Sequence, residues 1–414
     1  MNELFTVRAP GDAFAALARS CSPVARRDIV LLDASLGRVL AADVVAAETL
    51  PAFARSTMDG YAVRARDTHG ASEQSPAYLR LAGDVPTGVV PALVTGEREA
   101  VRIHTGAMIP TGADAVVMVE DTNLRGEEVE VLAAAAEGEN VLTIGEDVRA
   151  GAVAVRGRRR LRPAECGGLA ALGVTSVEVY GRPRVAILST GDEVVPAGAT
   201  PGPAQVRDVN GTTLEAVVRE AGGEPAACGI AADDEAALAA AARAALDAAD
   251  MLVLSAGSSV SVRDLTAKVV DELGRPGVLV HGIAIKPGKP TVLALCDGKP
   301  VVGLPGNPAS ALVVAWRIVR PLVRLLGGER VAHDGRDEAG ELDAILDLPV
   351  PSRPGREDYV PCTLARDAAG ALHAVPVFGA SNLIFTLVRA DALIAVPIDR
   401  SGIPAGETVR VVIP

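Results

Sequence analysis

Lysine is nearly absent from this chain. Of 40 basic residues in 414, only Lys268, Lys286, Lys289 and Lys299 are lysines. Arginine is the default cation, so each lysine marks a place where a compact ammonium is worth attention. Aromatic residues are scarce as well, ten in all, and the formal net charge is −12. A chain this acidic, with few rings on which bases could stack, is excluded as a general nucleic-acid binder. Any anion it handles must meet a local cationic pocket or a divalent metal. The five cysteines (Cys21, Cys166, Cys228, Cys296, Cys362) are odd in number, scattered and without a CxxC pair. That excludes a disulfide framework or zinc ribbon and favours a reducing cytoplasm. The five histidines form neither HExxH nor HxH, which argues against a histidine-held metal. No stretch approaches the roughly 20 uninterrupted apolar residues of a membrane span. The opening MNELFTVRAP lacks the basic-then-apolar layout of a signal peptide. No membrane association is expected.

What is present is an ordinary globular mixture, 49% hydrophobic and 22% charged. At roughly 100–200 residues per domain the length predicts two to four domains. Residues 10 to about 50 read as helical: DAFAALARS is amphipathic, and LGRVLAADVVA brings a second apolar run towards Pro51. From 51 to 147 short β runs (VRI, AVVMVE, EVEVLA) are punctuated by Gly, Pro and Asp. Residues 148–180 give a turn, a strand, a helix and a strand, and are expected to close a domain begun at 1–50. The β-rich 51–147 is then an inserted lobe.

Residues 181–327 alternate strand and helix. RVAILST, DMLVLSAG and PVVGL are continuous apolar runs of the kind buried on both faces of a parallel sheet. NGTTLEAVVREAGG, DDEAALAAAARAALDAA and RDLTAKVVDELG read as the intervening helices, and NPASALVVAWRIVRPLVRLL as a closing one. The spacing predicts a doubly wound α/β domain. From 335 to 414 β signals return, predicting a small C-terminal β-barrel or sandwich. The fold class is thus multidomain α/β plus β.

Ligands of an open α/β sheet sit beyond the carboxyl ends of its strands. Four polar loops fall there. They are Ser189-Thr190-Gly191-Asp192-Glu193, Ala232-Asp233-Asp234, Ser255-Ala256-Gly257-Ser258-Ser259 with Asp264, and Pro305-Gly306-Asn307-Pro308. Glycines let backbone N–H groups close on an oxyanion, and hydroxyls add donors. The last loop enters a helix, whose amino end favours phosphate or carboxylate. Carboxylates facing phosphate make sense as ligands of Mg²⁺. The plain alternative is that the acids are helix caps. IKPGKP (285–290) adds two lysines three apart in a Pro/Gly turn, either a solvated turn or a pair of placed charges for an oxyanion.

RSTMDGYAVR (55–64), RIHTGA (102–107), GED (145–147), STGDEV (189–194), IKPGKP and GLPGNPASA (303–311) occur in that order. Together they resemble the MoeA family of molybdopterin molybdenumtransferases, to which the E domain of gephyrin is equivalent. The resemblance spans nearly the whole chain. It implies a four-part elongated homodimer, with the α/β domain of molybdopterin-binding type. Each active site is shared between that domain of one subunit and the MDGY lobe of the other. It implies insertion of molybdenum from molybdate into adenylylated molybdopterin, with release of AMP and a need for Mg²⁺. Asp59, Thr105, Asp147, Glu193, Asp233 and Asp264 are then the catalytic set, with Glu193, Asp233 and Asp264 holding the metal. Lys286, Lys289, Ser310, Arg356 and Ser381 would meet molybdate. The partners implied are the two substrates, a second copy of the chain and the molybdopterin adenylyltransferase upstream.

The chain departs from the family pattern at three places. Leu142 of ENVLTIGED stands where arginine is usual. SAGSSVSV replaces S-G-G-V-S-V-G and runs on into RDLT, which is similar to the adenylyltransferases that share this α/β domain. Ala380-Ser381-Asn382 replaces G-S-H. The competing readings are therefore an adenylyltransferase and a non-enzymatic molybdopterin carrier or scaffold.

Overall fold

The computed structural model describes residues 7–256, 260–336 and 340–414, and the side chains of all of these except 260–264. By its contacts the chain divides into two compact units. One is Met1–Ala42, Arg158–Arg162 and Ser176–Pro414; the other is Asp43–Gly157 and Pro163–Thr175.

In the larger unit, alternate residues of strand Arg184–Thr190 serve opposite faces of one sheet, as the two-residue period of a strand requires. Val185 and Ile187 join one core with Met251, Val253, Val302 and Leu304. Ala186 and Leu188 join the other with Leu252, Leu254 and Val301. Helices cover both faces: Val209–Glu220 and the 308–326 segment on the first, Glu235–Ala248 and Val260–Glu272 on the second. Leu252, Val253 and Leu254 are wholly buried, each contributing about 1.5–3 kcal/mol. Phe14 and Leu17 of helix Pro10–Ala18 also enter the first core, so this helix packs with the α/β layers.

Across the sheet the strands run Glu224–Ala231, Arg184–Thr190, Met251–Ala256, Lys299–Pro305, Val292–Cys296 and Pro276–His281. The first four are parallel; Val292–Cys296 is antiparallel to both of its neighbours, so Pro276–His281 again runs in the direction of the first four. The change of direction has a local cause. Asp297-Gly298, both at positive φ, forms a two-residue turn, the D-G hairpin signal. Asp208 and Asp234 cap the two helices that follow, accepting from Gly211 N (2.8 Å) and Ala237 N (2.9 Å).

Five strands of the C-terminal region close on themselves: Glu357–Arg366, Leu372–Pro376, Glu341–Leu346, Thr408–Val412 and Ala392–Val396, the last pairing back with the first. Closure into a barrel leaves no edge, and Leu346, Cys362, Ile394 and Val411 fill it. The short strand Ile285–Lys286 lies parallel to the start of the 357–366 strand and sets Lys286 opposite Asp358. That pairing ties the lysine turn to the barrel.

The smaller unit is built on a six-stranded sheet in the order Ala115–Met118, Gly60–Val63, Glu99–Ile103, Ala77–Val85, Glu128–Val131, Thr122–Arg125. Tyr61, Val63, Leu79, Val117 and Val129 fill one face, and Ala62, Val101, Ile103 and Val116 the other.

The helix expected over 36–46 does not form. Val39 and Leu40 make bridges to Arg160 and Val179, and Val44–Val45 pairs with Val153–Val155. Partners more than 100 residues away outweigh local helix preference here, as β-branched valines favour. Residues 27–31 are likewise extended, paired with 176–180. Among the described residues no helix is long and apolar enough to cross a membrane.

Candidate functional site

Two cavities meet on the larger unit. The first, about 580 Å³, lies between the lysine turn, the amino end of helix Pro308–Val314 and the barrel. Lys286, Lys289 and Arg356 are its cations, and Ser310 and Ser381 give hydroxyls. Pro305 and Asn307 also line it. The turn is held against the helix by Gly288, at φ +122, where a Cβ would collide with Val314 Cγ2. Only glycine permits that approach.

Asp358, which the sequence reading missed, organises the cations. Its side chain is 2% exposed. Arg356 Nε donates to Oδ1 at 2.8 Å and its terminal nitrogen to Oδ2 at 3.3 Å. Lys286 Nζ stands 3.8 Å from the same Oδ2. The available signal was the RED run at a strand start, where an arginine and an acid two residues on share a face. Lys289 makes no ion pair with a carboxylate among the described residues, and its side chain is exposed. Tyr359 and Glu357 form a buried network behind the wall. Tyr359 OH donates to Glu357 at 2.9 Å and accepts from Arg317 Nε at 3.2 Å. Burial is the main reason that the phenol titrates above its usual range.

The second cavity, about 450 Å³, opens at the carboxyl edge of the sheet and is acidic. Ser189, Glu193, Asp208, Asn210, Ser255, Gly306, Asn307 and Pro308 line it, with Arg207 its one basic lining residue among those described. Ser189 Oγ donates to Asp208 Oδ2 at 2.8 Å. Buried Asn210, also missed, donates through Nδ2 to Ser255 Oγ (2.7 Å) and Gly306 O (2.9 Å), leaving Oδ1 without a partner among the described residues. The sequence signal was VRDVNG at a helix start. Asn307 belongs to both cavities and donates to Ser381 Oγ at 3.1 Å.

Beside this cavity Gly191 N reaches Ala231 O at 3.4 Å, and Asp233 N donates to Asp192 Oδ1 at 3.2 Å. The carboxyl of Asp233 is pushed above its usual range, by burial first and then by the charge of Asp192, with Glu193 adding to it. Asp234, not Asp233, is the helix cap, so Asp233 is not absorbed by that structural role. Crowded carboxylates are a hard oxygen donor set of the kind Mg²⁺ prefers, and a cation would relieve their repulsion. Among the described residues no three acids, histidines or cysteines are already gathered as a metal centre. Gly257 and Ser258 lie outside the described residues, as does the side chain of Asp264.

In the smaller unit Asp59 and Thr105 are together. Thr105 donates to Asp59 Oδ1 from its amide (2.7 Å) and from its hydroxyl (3.1 Å). These bonds, the amide's first, hold the exposed carboxyl of Asp59 below its usual range. Asp147 donates through its amide to Leu50 O at 3.1 Å, with its side chain exposed.

A sheet of mainly parallel strands with helices on both faces, together with a five-stranded barrel and a β-rich lobe, defines a multidomain α/β plus β protein. Three family descriptions match it in order: "MoeA N-terminal region (domain I and II)" over 9–173, "Probable molybdopterin binding domain" over 186–325, and "MoeA C-terminal region (domain IV)" over 343–413. The chain is 35% identical over 402 residues to Molybdopterin molybdenumtransferase 2 of Mycobacterium tuberculosis, covering 96% of each. It is 34% identical to Molybdopterin molybdenumtransferase of Nostoc sp., covering 93% of this chain and 88% of that one. A solved MoeA structure from Pyrococcus horikoshii OT3 superposes with a TM-score of 0.82 at 27% identity, over 99% of this chain and 100% of that one. The chain belongs to the MoeA family, and is a transferase of molybdenum cofactor biosynthesis.

Proposed function

We propose that this chain inserts molybdenum from molybdate into adenylylated molybdopterin and releases AMP. The observation that carries the reading is the pair of adjoining cavities of opposite charge with Asn307 in the wall of both. Molybdate is a tetrahedral dianion, and the cationic cavity offers it two ammonium groups, a guanidinium and two hydroxyls. The adenylylated substrate carries a phosphoanhydride and suits the sheet edge, where Ser189, Ser255 and the Gly306-Asn307-Pro308 loop provide donors. Mg²⁺ would be held by Glu193 and Asp233, with Asp264 by family resemblance, and would neutralise the phosphates and ease departure of AMP.

The protein works as a homodimer in which each active site draws Asp59, Thr105 and Asp147 from one copy and the carboxylates from the other. Two things support this: the family resemblance, and the location of these residues in a separate compact unit from Glu193. Inactive Asp59→Asn and Glu193→Gln chains, mixed as heterodimers, should regain part of the activity. Absence of recovery in heterodimers shown to form would refute the shared site.

The decisive assay incubates the protein and Mg²⁺ with adenylylated molybdopterin, with and without molybdate, and follows AMP. Release that depends on molybdate is the expected result. Lack of AMP despite tight binding of the substrate would favour a carrier or scaffold. Formation of adenylylated product from molybdopterin and ATP would favour the adenylyltransferase. Replacing molybdate by tungstate establishes which oxyanion is used.

A further inference from the structure

Three cations line the oxyanion cavity, Lys286, Lys289 and Arg356, and one carboxylate, that of Asp358. A buried acid in the wall of an anion pocket calls for a reason, since it repels the ligand. Tethering alone does not account for it. The backbone ladder already places Lys286 opposite Asp358, and a neutral amide oxygen would still accept one of the two Arg356 bonds. The carboxylate is fixed as well. It is 2% exposed, both oxygens are engaged, and its residue is paired with Lys286 on one side and Val396 on the other. It cannot swing away when an anion arrives.

We infer that Asp358 is a positioning residue that lowers the cavity's hold on its oxyanion while keeping Lys286 and Arg356 in place, so that the anion can be passed on. With Asp358 the described lining carries a formal charge of plus two, which one dianion neutralises. Without it the excess is plus three, and a dianion bound there would leave more slowly. Asn307, shared with the acidic cavity, stands where the anion would cross. This inference rests on the reading of the cavity as the oxyanion site.

The test compares Asp358→Asn with the wild type in direct binding of molybdate and of perrhenate, a tetrahedral anion of similar shape but single charge. Asparagine keeps the shape and an acceptor for Arg356 but removes the repulsion, which scales with ligand charge. At low salt molybdate should bind on the order of tenfold more tightly, and perrhenate about threefold. Both gains should shrink in high salt. In the AMP assay the variant should need less molybdate for half-maximal rate yet turn over more slowly. Asp358→Glu, which keeps the charge, should retain the wild-type ratio of molybdate to perrhenate affinity whatever its absolute values. If Asp358→Asn binds both anions equally or more weakly than wild type, or if the glutamate shifts the ratio as asparagine does, the inference is overturned. If the wild type itself binds neither anion, the oxyanion reading of the cavity fails instead.

Discussion

The acidic and the cationic cavity lie side by side on one unit, yet they are made in different ways. The acidic one is built from loops at the carboxyl ends of parallel strands, with the start of helix Val209–Glu220 pinned by Asp208. The cationic one is assembled from three separate pieces: a Pro/Gly turn, a helix end and a barrel rim. The first can accept phosphates only with a counter-cation, because its own charge is negative. The second can accept an oxyanion directly. Under the proposed reaction the two anionic substrates would lie near one another, with Asn307 in the wall of both cavities.

The contrast should break most sharply at Glu193. Glu193→Gln should lower AMP release by about 100-fold or more, the scale of a lost electrostatic contribution to catalysis. Molybdate binding, measured calorimetrically, should be nearly unchanged, since Glu193 does not line the cationic cavity. Loss of both together would mean that the cavities are not independent.

Gly288→Ala is the matching lesion on the cationic side. A side chain at φ +122 driven against Val314 should cost about 2 kcal/mol in denaturant unfolding. It should also weaken molybdate binding by displacing the lysine turn, while binding of the adenylylated substrate changes little.

Smaller and more specific is Arg356→Ala. Removing one charged donor should raise the molybdate concentration for half-maximal insertion on the order of tenfold, with substrate affinity unaltered. Lys286→Ala should instead reduce turnover, because that turn lies next to the shared Asn307 loop. Identical molybdate dependence in Arg356→Ala and wild type would remove the barrel from the mechanism.

The smallest effect expected is on stability at the acidic edge. The native pKa of Asp233 is raised, so between the ordinary carboxylate value and the raised one the folded protein binds more protons than the unfolded chain. Stability from this group is therefore present at low pH and is lost as pH rises through the native pKa. Asp233→Asn should raise Tm at pH 7 by about 1 °C and leave it unchanged near pH 3. A lower Tm at pH 7 would show that the carboxylate is stabilising.

Much of the α/β domain is legible in the chain because its signals are local. Buried strands are unbroken apolar runs such as MLVLSA, and Asp234 with its alanine-rich successor announces a helix. The lysine turn stands out because lysine is rare here. Residues 36–46 are not legible in the same way, because their partners are distant. LGRVLAADVVA carries a helical-looking apolar pattern, and only pairing with 153–155, 160 and 179 makes it extended.

Composition and motif order were enough to indicate an acidic, multidomain protein with an α/β sheet, a candidate oxyanion turn and the MoeA resemblance, since each is a property of neighbouring residues. Tertiary structure alone decided that Lys286 faces Asp358 across 72 residues of chain. It alone joined Asn307 to Ser381 between two cavities, and put Phe14 in the core of the α/β layers. These are pairings of distant segments, set by how sheet, helix and barrel bury their apolar faces together, and no local pattern of residues encodes them.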